Sequence, residues 1–159
     1  MTSAADIVRR ARDAGRTIAT AESLTAGLVA AALAEVPGCS AVLRGGVIAY
    51  ATDVKAQVLG IEPALLAHVV SEEVAGRLAE RACAVLGADL GIGTTGVAGP
   101  DSLDGQPPGT VWIAVHDARR GLTTTRRLAV EGDRASVRAG TVAACLILTG
   151  DVLERSTGE

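Results

Sequence analysis

Phenylalanine is absent from this 159-residue chain, and tyrosine, tryptophan and lysine occur once each. Without aromatic anchors the core has to be filled by Ala, Val, Leu and Ile, which favours close packing of helices on a sheet. Histidine is confined to His68 and His116, too isolated for a zinc site, so no metal is expected. Cys39, Cys83 and Cys145 are odd in number and form no C-x-x-C pair. They read as small core residues of a cytoplasmic protein rather than a disulfide framework. No unbroken apolar run approaches the ~18 residues of a spanning helix, and the amphipathic N-terminus MTSAADIVRRARDAG carries no apolar signal segment, so no membrane partner is expected. A net charge of −3 gives no general drive toward nucleic acid or anionic lipid.

What is present fits one domain over residues 1–159, long enough for a core without disulfides or metals. Ala5 to Ala14 has Ile7, Val8 and Ala11 at helical spacing, with Gly15 as a stop. Thr17–Ala21 reads as a strand leading into Glu22–Gly27, then an Ala-rich helix to about Glu35 that Pro37-Gly38 breaks. Ala41–Tyr50 reads as a strand in which Gly45-Gly46 marks a bulge or a close approach. Asp53 is a candidate cap for a short helix ending at Gly60. Ser71 opens a long helix whose stripe is Leu78, Ala82, Val85 and Leu86. Leu90–Thr95 is a buried-type strand, and Val111–Val115 with Thr123–Val130 forms a hairpin. Asp133 starts a last helix to about Thr149, leaving ERSTGE as a frayed tail. The alternation predicts a mostly parallel sheet with helices on both faces and one antiparallel strand. Ligands of such sheets bind beyond the strands' carboxyl ends, where Glu22–Gly27, Tyr50–Lys55 and Thr94–Asp101 are placed to converge.

Fourteen of the fifteen basic residues are arginine; the exception is Lys55, five residues after the only tyrosine, Tyr50. Buried lysine can lose its proton and arginine effectively cannot, so a lone lysine is a candidate general base as well as an ordinary surface residue. Ser23 sits at a strand-to-helix transition. It is either the helix N-cap or, if Thr25 caps instead, a free nucleophile. Glu22 reads as solvated near the helix start. With Ser23 as nucleophile and neutral Lys55 as base, Tyr50 is a candidate proton shuttle or orienter; Ser23 and Lys55 are too far apart for a local S-x-x-K motif and meet only through the fold. The run Gly93–Asp101 is either a set of turns or a backbone nest for an anion or oxyanion; it is not a Walker loop. Arg134 and Arg138, four apart on one helix face, either face solvent or fork a phosphate.

The strings TAESLTAGLVA, GGVIAYATDVKAQVLG, VSEEVA, TTGVAGPD, PPGTVWIAV and EGDRASVRA, in that order, resemble the C-terminal domain of the competence-damage-inducible protein CinA. The resemblance covers about Ala4 to Leu153. In full-length CinA this domain follows a molybdopterin-binding-like domain; the family also includes stand-alone nicotinamide-nucleotide amidases. It implies a three-layer α/β/α sandwich with a mixed five-stranded sheet. It also implies hydrolysis of the carboxamide of nicotinamide mononucleotide to nicotinate mononucleotide and ammonia, without a cofactor. Ser23, Tyr50 and Lys55 take the family's catalytic positions. Substrate contacts are expected at Thr25 and Gly27, along the loop at Thr95, Gly96, Ala98, Gly99 and Pro100, and at Arg134 and Arg138. The segment His68-Val69-Val70-Ser71 is one residue shorter than in many relatives, Ala26 replaces a frequent Gly, and Leu24 replaces a frequent Cys. The rival expectation is a non-catalytic nucleotide-binding or protein-interaction module linked to competence or DNA damage. Alanine-rich helices with few aromatics fit close self-association, so a homo-oligomer is expected.

Overall fold

The computed structural model describes residues 1–157. Ser3 and Asp6 form a reciprocal capping box at the start of helix α1 (Ala4–Asp13), and Ile7, Val8 and Ala11 bury the expected face. Strand β1 (Ile18–Glu22) leads through a five-residue turn into α2 (Leu28–Ala34). Strand β2 (Leu43–Ile48) is shorter than the predicted Ala41–Tyr50, because Cys39–Ala41 winds into a 3-10 turn. Helix α3 (Thr52–Leu59) starts earlier than expected. Its cap position is Ala51, and Asp53 lies inside the first turn, where a carboxylate complements the helix dipole instead of capping. Helix α4 (Glu72–Leu86) is capped by Ser71, whose hydroxyl accepts from Val74 N–H. Strands β3 (Leu90–Gly96), β4 (Thr110–Asp117) and β5 (Leu122–Ala129) follow, then α5 (Arg134–Thr157).

The strands form one sheet in the order β2-β1-β3-β4-β5. β1 pairs in parallel with β2 and β3, whereas β4 runs antiparallel to both β3 and β5. β4 is therefore the one reversed strand that the hairpin required. Helices α1, α2 and α5 cover one face and enclose the larger apolar cluster; α3 and α4 cover the other. The result is the three-layer α/β/α sandwich. Crossovers leave β1 toward α2 on one side and return toward β3 through α3 and α4 on the other. The carboxyl end of β1 is thus the switch point.

Small residues set how closely the layers approach. A Cβ on Gly91 would lie 1.9 Å from the Ala79 carbonyl oxygen, and one on Gly93 2.4 Å from that of Ala75. α4 accordingly rests on the bare backbone of β3. Its buried stripe is Val74, Ala75, Leu78, Ala79, Ala82 and Cys83, while Val85, expected inside, faces solvent. Gly45-Gly46 serves both anticipated purposes: the β1–β2 register shifts between Ile18 and Ala19, and a Cβ on Gly46 would sit 2.4 Å from Thr20 Oγ1. Cys83 and Cys145 are buried as expected, but Cys39 is only half-buried.

α5 continues well past Thr149, so Glu154–Thr157 of the expected frayed tail are helical, and Gly158 and Glu159 lie outside the described residues. By length and composition α5 could cross a membrane, a property that reading for unbroken apolar runs missed. Half of the apolar stretch is buried inside the domain, where Val137, Cys145, Leu148 and Val152 join the core. The opposite end of the sheet from the switch point is closed by a buried ion pair, Arg16 Nη2 to Asp117 Oδ1 at 2.5 Å.

Gly91→Ala is expected to lower unfolding free energy by about 3 kcal/mol, since the added methyl meets backbone rather than a flexible side chain. Gly76→Ala, on the same layer but with its nearest neighbour at 3.6 Å, should be neutral or slightly stabilising through helix propensity. Urea denaturation of the two variants checks the contrast.

Candidate active site

The carboxyl ends of the three parallel strands deliver the chemistry. The ladder continues one residue beyond β1 on both sides: Ser23 N–H donates to the Thr94 carbonyl at 3.1 Å, and Ala49 N–H to the Glu22 carbonyl at 2.9 Å. Ser23 therefore emerges at a fixed height above the sheet. The chain then turns sharply through Ala26 (φ 47°) and Gly27 (φ 93°) into α2. Ala26 occupies a left-handed conformation, which accounts physically for the Gly that relatives often carry there. Gly27 takes the cap position of α2. Neither Ser23 nor Thr25 caps this helix. That task falls to Glu22, which is fully buried rather than solvated and accepts from Val29 and Ala30 N–H.

Lys55 lies on the inward face of α3 together with Leu59, a position where an apolar residue would be expected. It is 0% exposed. Its Nζ stands 3.0 Å from Ser23 Oγ, 2.8 Å from the Ala49 carbonyl oxygen and 3.0 Å from that of Tyr50. No carboxylate is among these partners. Burial lowers the lysine pKa from 10.5 to about 8. The neutral amine has two N–H groups and one lone pair, which match two carbonyls and one hydroxyl. Thus the structure brings Ser23 and Lys55 together in an arrangement suited to proton transfer from the hydroxyl.

Tyr50 contributes differently from expectation. Its backbone carbonyl holds Lys55, whereas its half-exposed side chain reaches outward and its hydroxyl accepts from Arg134 Nη2. The phenol makes no hydrogen bond to Ser23 or Lys55, so a shuttle role is not built into this arrangement. Arg134 also donates to the Gly99 carbonyl at 2.8 Å, tying the start of α5 to the Gly-rich loop.

Ser23, Tyr50, Lys55, Thr95, Gly96, Ala98, Gly99, Pro100 and Arg134 all line one cleft of about 320 Å³. Three expected substrate contacts stand outside it. Thr25 is buried beneath, with its hydroxyl 2.9 Å from that of Thr94. Gly27 faces Ile48. Arg138 braces the turn from behind, donating to the carbonyls of Leu24 and Thr25 at 2.9 and 3.2 Å. Sequence reasoning missed Thr52, Val69, Val70 and the Ser102–Asp104 segment, which also line the cleft, as do Leu24 and Val97. The shortened His68–Ser71 segment thus borders the cleft: Thr95 Oγ1 donates to Val69 O at 2.8 Å, and Val70 N–H to Asp104 at 3.2 Å. No sequence pattern distinguishes these valines from core residues. Burial raises the thiol pKa values of Cys83 and Cys145, so neither competes as a nucleophile. Among the described residues no group of three His, Cys, Asp or Glu side chains could hold a metal ion.

The sequence model of the family described as CinA C-terminal domain matches residues 1–153. A Geobacillus kaustophilus protein named as a competence-damage inducible protein is 49% identical over 137 residues, covering 84% of this chain and 33% of the relative. A CinA-like protein of Frankia casuarinae is 43% identical over 139 residues, covering 86% and 32%. The chain therefore spans about a third of the length of these curated relatives. A crystal structure of a competence-damaged protein (CinA) superfamily protein from Klebsiella pneumoniae superposes with a TM-score of 0.91 at 32% identity, covering 96% of both chains. The competence/damage inducible protein CihA of Agrobacterium tumefaciens gives 0.86 at 30% identity, covering 95% of both.

The low pKa of Lys55 has a thermodynamic consequence. Between about pH 8 and 10.5 the unfolded chain binds a proton at Lys55 that the folded chain does not, so stability rises with pH through that window. Below pH 8 the cost of charging the buried amine is present in full. The stability of the protein relative to Lys55→Met should therefore increase by up to about 3 kcal/mol from pH 8 to 10.5. Urea titrations of both proteins across this range measure it; a constant difference would show that Lys55 is protonated in the folded state throughout.

Proposed function

The chain belongs to the CinA C-terminal domain family, and on that premise we propose that it is a cytoplasmic nicotinamide-nucleotide amidase acting in pyridine-nucleotide salvage. The observation that carries the reading is the 3.0 Å contact between Ser23 Oγ and a buried lysine amine whose pKa is lowered to about 8. In the reading, Lys55 takes the Ser23 proton as Oγ attacks the carboxamide carbon. The carbonyl oxygen becomes an oxyanion. Backbone N–H groups hold it, either near Ser23, where the amides of Leu24 and Thr25 have no protein acceptor among the described residues, or in the Thr95–Gly99 loop. Collapse of the tetrahedral adduct breaks the C–N bond, and Lys55 returns the proton to the leaving nitrogen, releasing ammonia. Water then attacks the acyl-serine ester, again losing its proton to Lys55, and frees the nicotinate product and Ser23.

The cleft volume of about 320 Å³ suits a small nucleotide, not a polymer. Neutral Lys55 also suits a pyridinium substrate, because a cation bound nearby disfavours protonation of the amine. Arg134, at the cleft wall, is the side chain placed for the phosphate. Arg138 supports the reading only through the loop it braces. Phosphate contacts of this kind position the substrate without entering the chemistry.

Purified protein should release ammonia from nicotinamide mononucleotide, and Ser23→Ala should abolish turnover while retaining binding. The rate should rise with pH through a midpoint of about 8, and Lys55→Arg, which keeps charge but not basicity, should be as inactive as Lys55→Ala. Nucleotide binding without ammonia release would instead make the domain a binding module. Arg134→Ala should raise KM for the nucleotide more than it lowers kcat, and should matter little for the phosphate-free riboside. Identical kinetics on the two substrates would remove Arg134 from phosphate recognition.

A further inference from the structure

β1 ends on a carboxylate that solvent never reaches. Glu22 directly precedes Ser23 and is 0% exposed. Its Oε1 accepts from Val29 N–H at 2.9 Å, and its Oε2 from Ala30 N–H at 3.1 Å and Thr20 Oγ1 at 2.9 Å. Among the described residues its partners are two amides and one hydroxyl; none is a cation. A buried carboxylate carries a large desolvation cost, and a helix of this length could be capped more cheaply by an exposed Ser or Asp. The position of Glu22 indicates what the cost secures.

Side chains alternate along β1. Ala19 and Ala21 pack toward the layer of α3 and α4, whereas Glu22 reaches the first turn of α2 on the opposite layer. Ser23, the next position, returns to the side where Lys55 arrives. The carboxylate therefore spans the turn that presents the nucleophile, joining the strand end before it to the helix after it. That turn contains Ala26 in a left-handed conformation, which the local chain does not favour by itself. The hydroxyl of Thr20 locks the carboxylate from the strand side. It has room to do so because Gly46 on the neighbouring strand has no Cβ; one would fall 2.4 Å from Thr20 Oγ1.

We propose that Glu22, locked by Thr20, is the positioning residue for the nucleophile, holding Ser23 Oγ at the distance from Lys55 Nζ that proton transfer requires. The inference rests on the amidase reading of the same site. Glu22 lines no part of the cleft, so it acts through Ser23 and not on substrate. Its loss should therefore appear in kcat and not in KM.

The test is Glu22→Gln, which keeps the shape but places an NH2 group against at least one donor now bonded to a carboxylate oxygen. The expected result is kcat lowered about tenfold or more with KM within about twofold, in a protein whose circular dichroism is unchanged. A second readout needs no natural substrate: the rate at which a fluorophosphonate labels Ser23, followed by intact mass, should fall by a similar factor. Thr20→Val, which removes the hydroxyl at nearly constant volume, should show the same pattern more weakly, and it carries the test if Glu22→Gln does not fold. Wild-type rates of turnover and labelling in the folded variants overturn the inference, as does a loss confined to KM. If wild-type protein is labelled but releases no ammonia, the amidase reading fails while labelling of the variants still decides the role of Glu22. Absence of labelling and turnover in the wild type overturns both.

Discussion

An amine enclosed by protein, with two carbonyls and a hydroxyl as its partners and no carboxylate among them, is the constraint around which the domain is arranged. A surface lysine needs nothing from its neighbours. Lys55 needs acceptors, because an unpaired buried N–H is costly, and it needs them without negative charge, because a carboxylate would fix the proton on it. Consecutive carbonyls of Ala49 and Tyr50 meet both requirements. They are available because the β1–β2 ladder ends with the Ala49 N–H and α3 has not yet begun, leaving two backbone oxygens with no ladder to join. The gap between two secondary-structure elements thus supplies the acceptors of the buried amine.

This arrangement demands rigidity from a core with almost no aromatic side chains. Trp112, the single tryptophan, packs only at the margin of a small alanine cluster. Close approach replaces bulk. Gly91 and Gly93 let α4 settle on the backbone of β3, and Gly46 leaves room beside its paired neighbour on β1 for the Thr20 hydroxyl. Dispersion contacts between closely placed backbones compensate for the missing rings. The same glycines tie stability to site geometry, since β3 also supplies Thr94, whose carbonyl fixes Ser23. At the other end of the sheet Arg16 and Asp117 are buried far from the chemistry, with Asp117 also receiving the amides of Arg119 and Arg120 and the hydroxyl of Ser156. That network closes the strand ends opposite the cleft.

The succession of strands and helices along the chain and the convergence of three loops are legible in the sequence, because each strand ends in a change of periodicity or a Gly-rich turn; the strand order in the sheet is not. The pairing of Ser23 with Lys55 was legible only as a possibility of the fold, supported by resemblance; thirty-two residues separate the two, and no local spacing encodes the contact. Reading failed where a side chain's task is set by tertiary neighbours. Glu22 looked solvated because carboxylates at helix starts usually are, and its capping of a helix seven residues downstream depends on the turn bringing α2 back over β1. Tyr50 drew attention for its phenol, yet its carbonyl does the holding, and a backbone atom has no sequence signature. Arg138 shares a helix face with Arg134, as spacing required, but the loop carbonyls of Leu24 and Thr25 intercept its guanidinium before it reaches the cleft.

Those interceptions share a logic. Arg138 from α5, Glu22 from β1 and Thr94 from β3 each spend polar groups on the turn between Ser23 and Gly27 or on the helix that it enters. Arg138 takes its carbonyls, Glu22 the amides of the helix that follows, and Thr94 the amide of Ser23. Among the described residues, what remains without a protein acceptor includes the amides of Leu24, Thr25 and Gly27, beside the Ser23 hydroxyl turned to Lys55. A turn anchored by Arg138, Glu22 and Thr94 has little freedom to relax, so its remaining donors keep their direction. Preorganised donors of this kind stabilise developing negative charge without reorganising when the charge appears. Residues outside the cleft are therefore the ones that set the shape of this turn, which is why so small a domain keeps the Glu22 carboxylate inside its core and the Arg138 guanidinium against it.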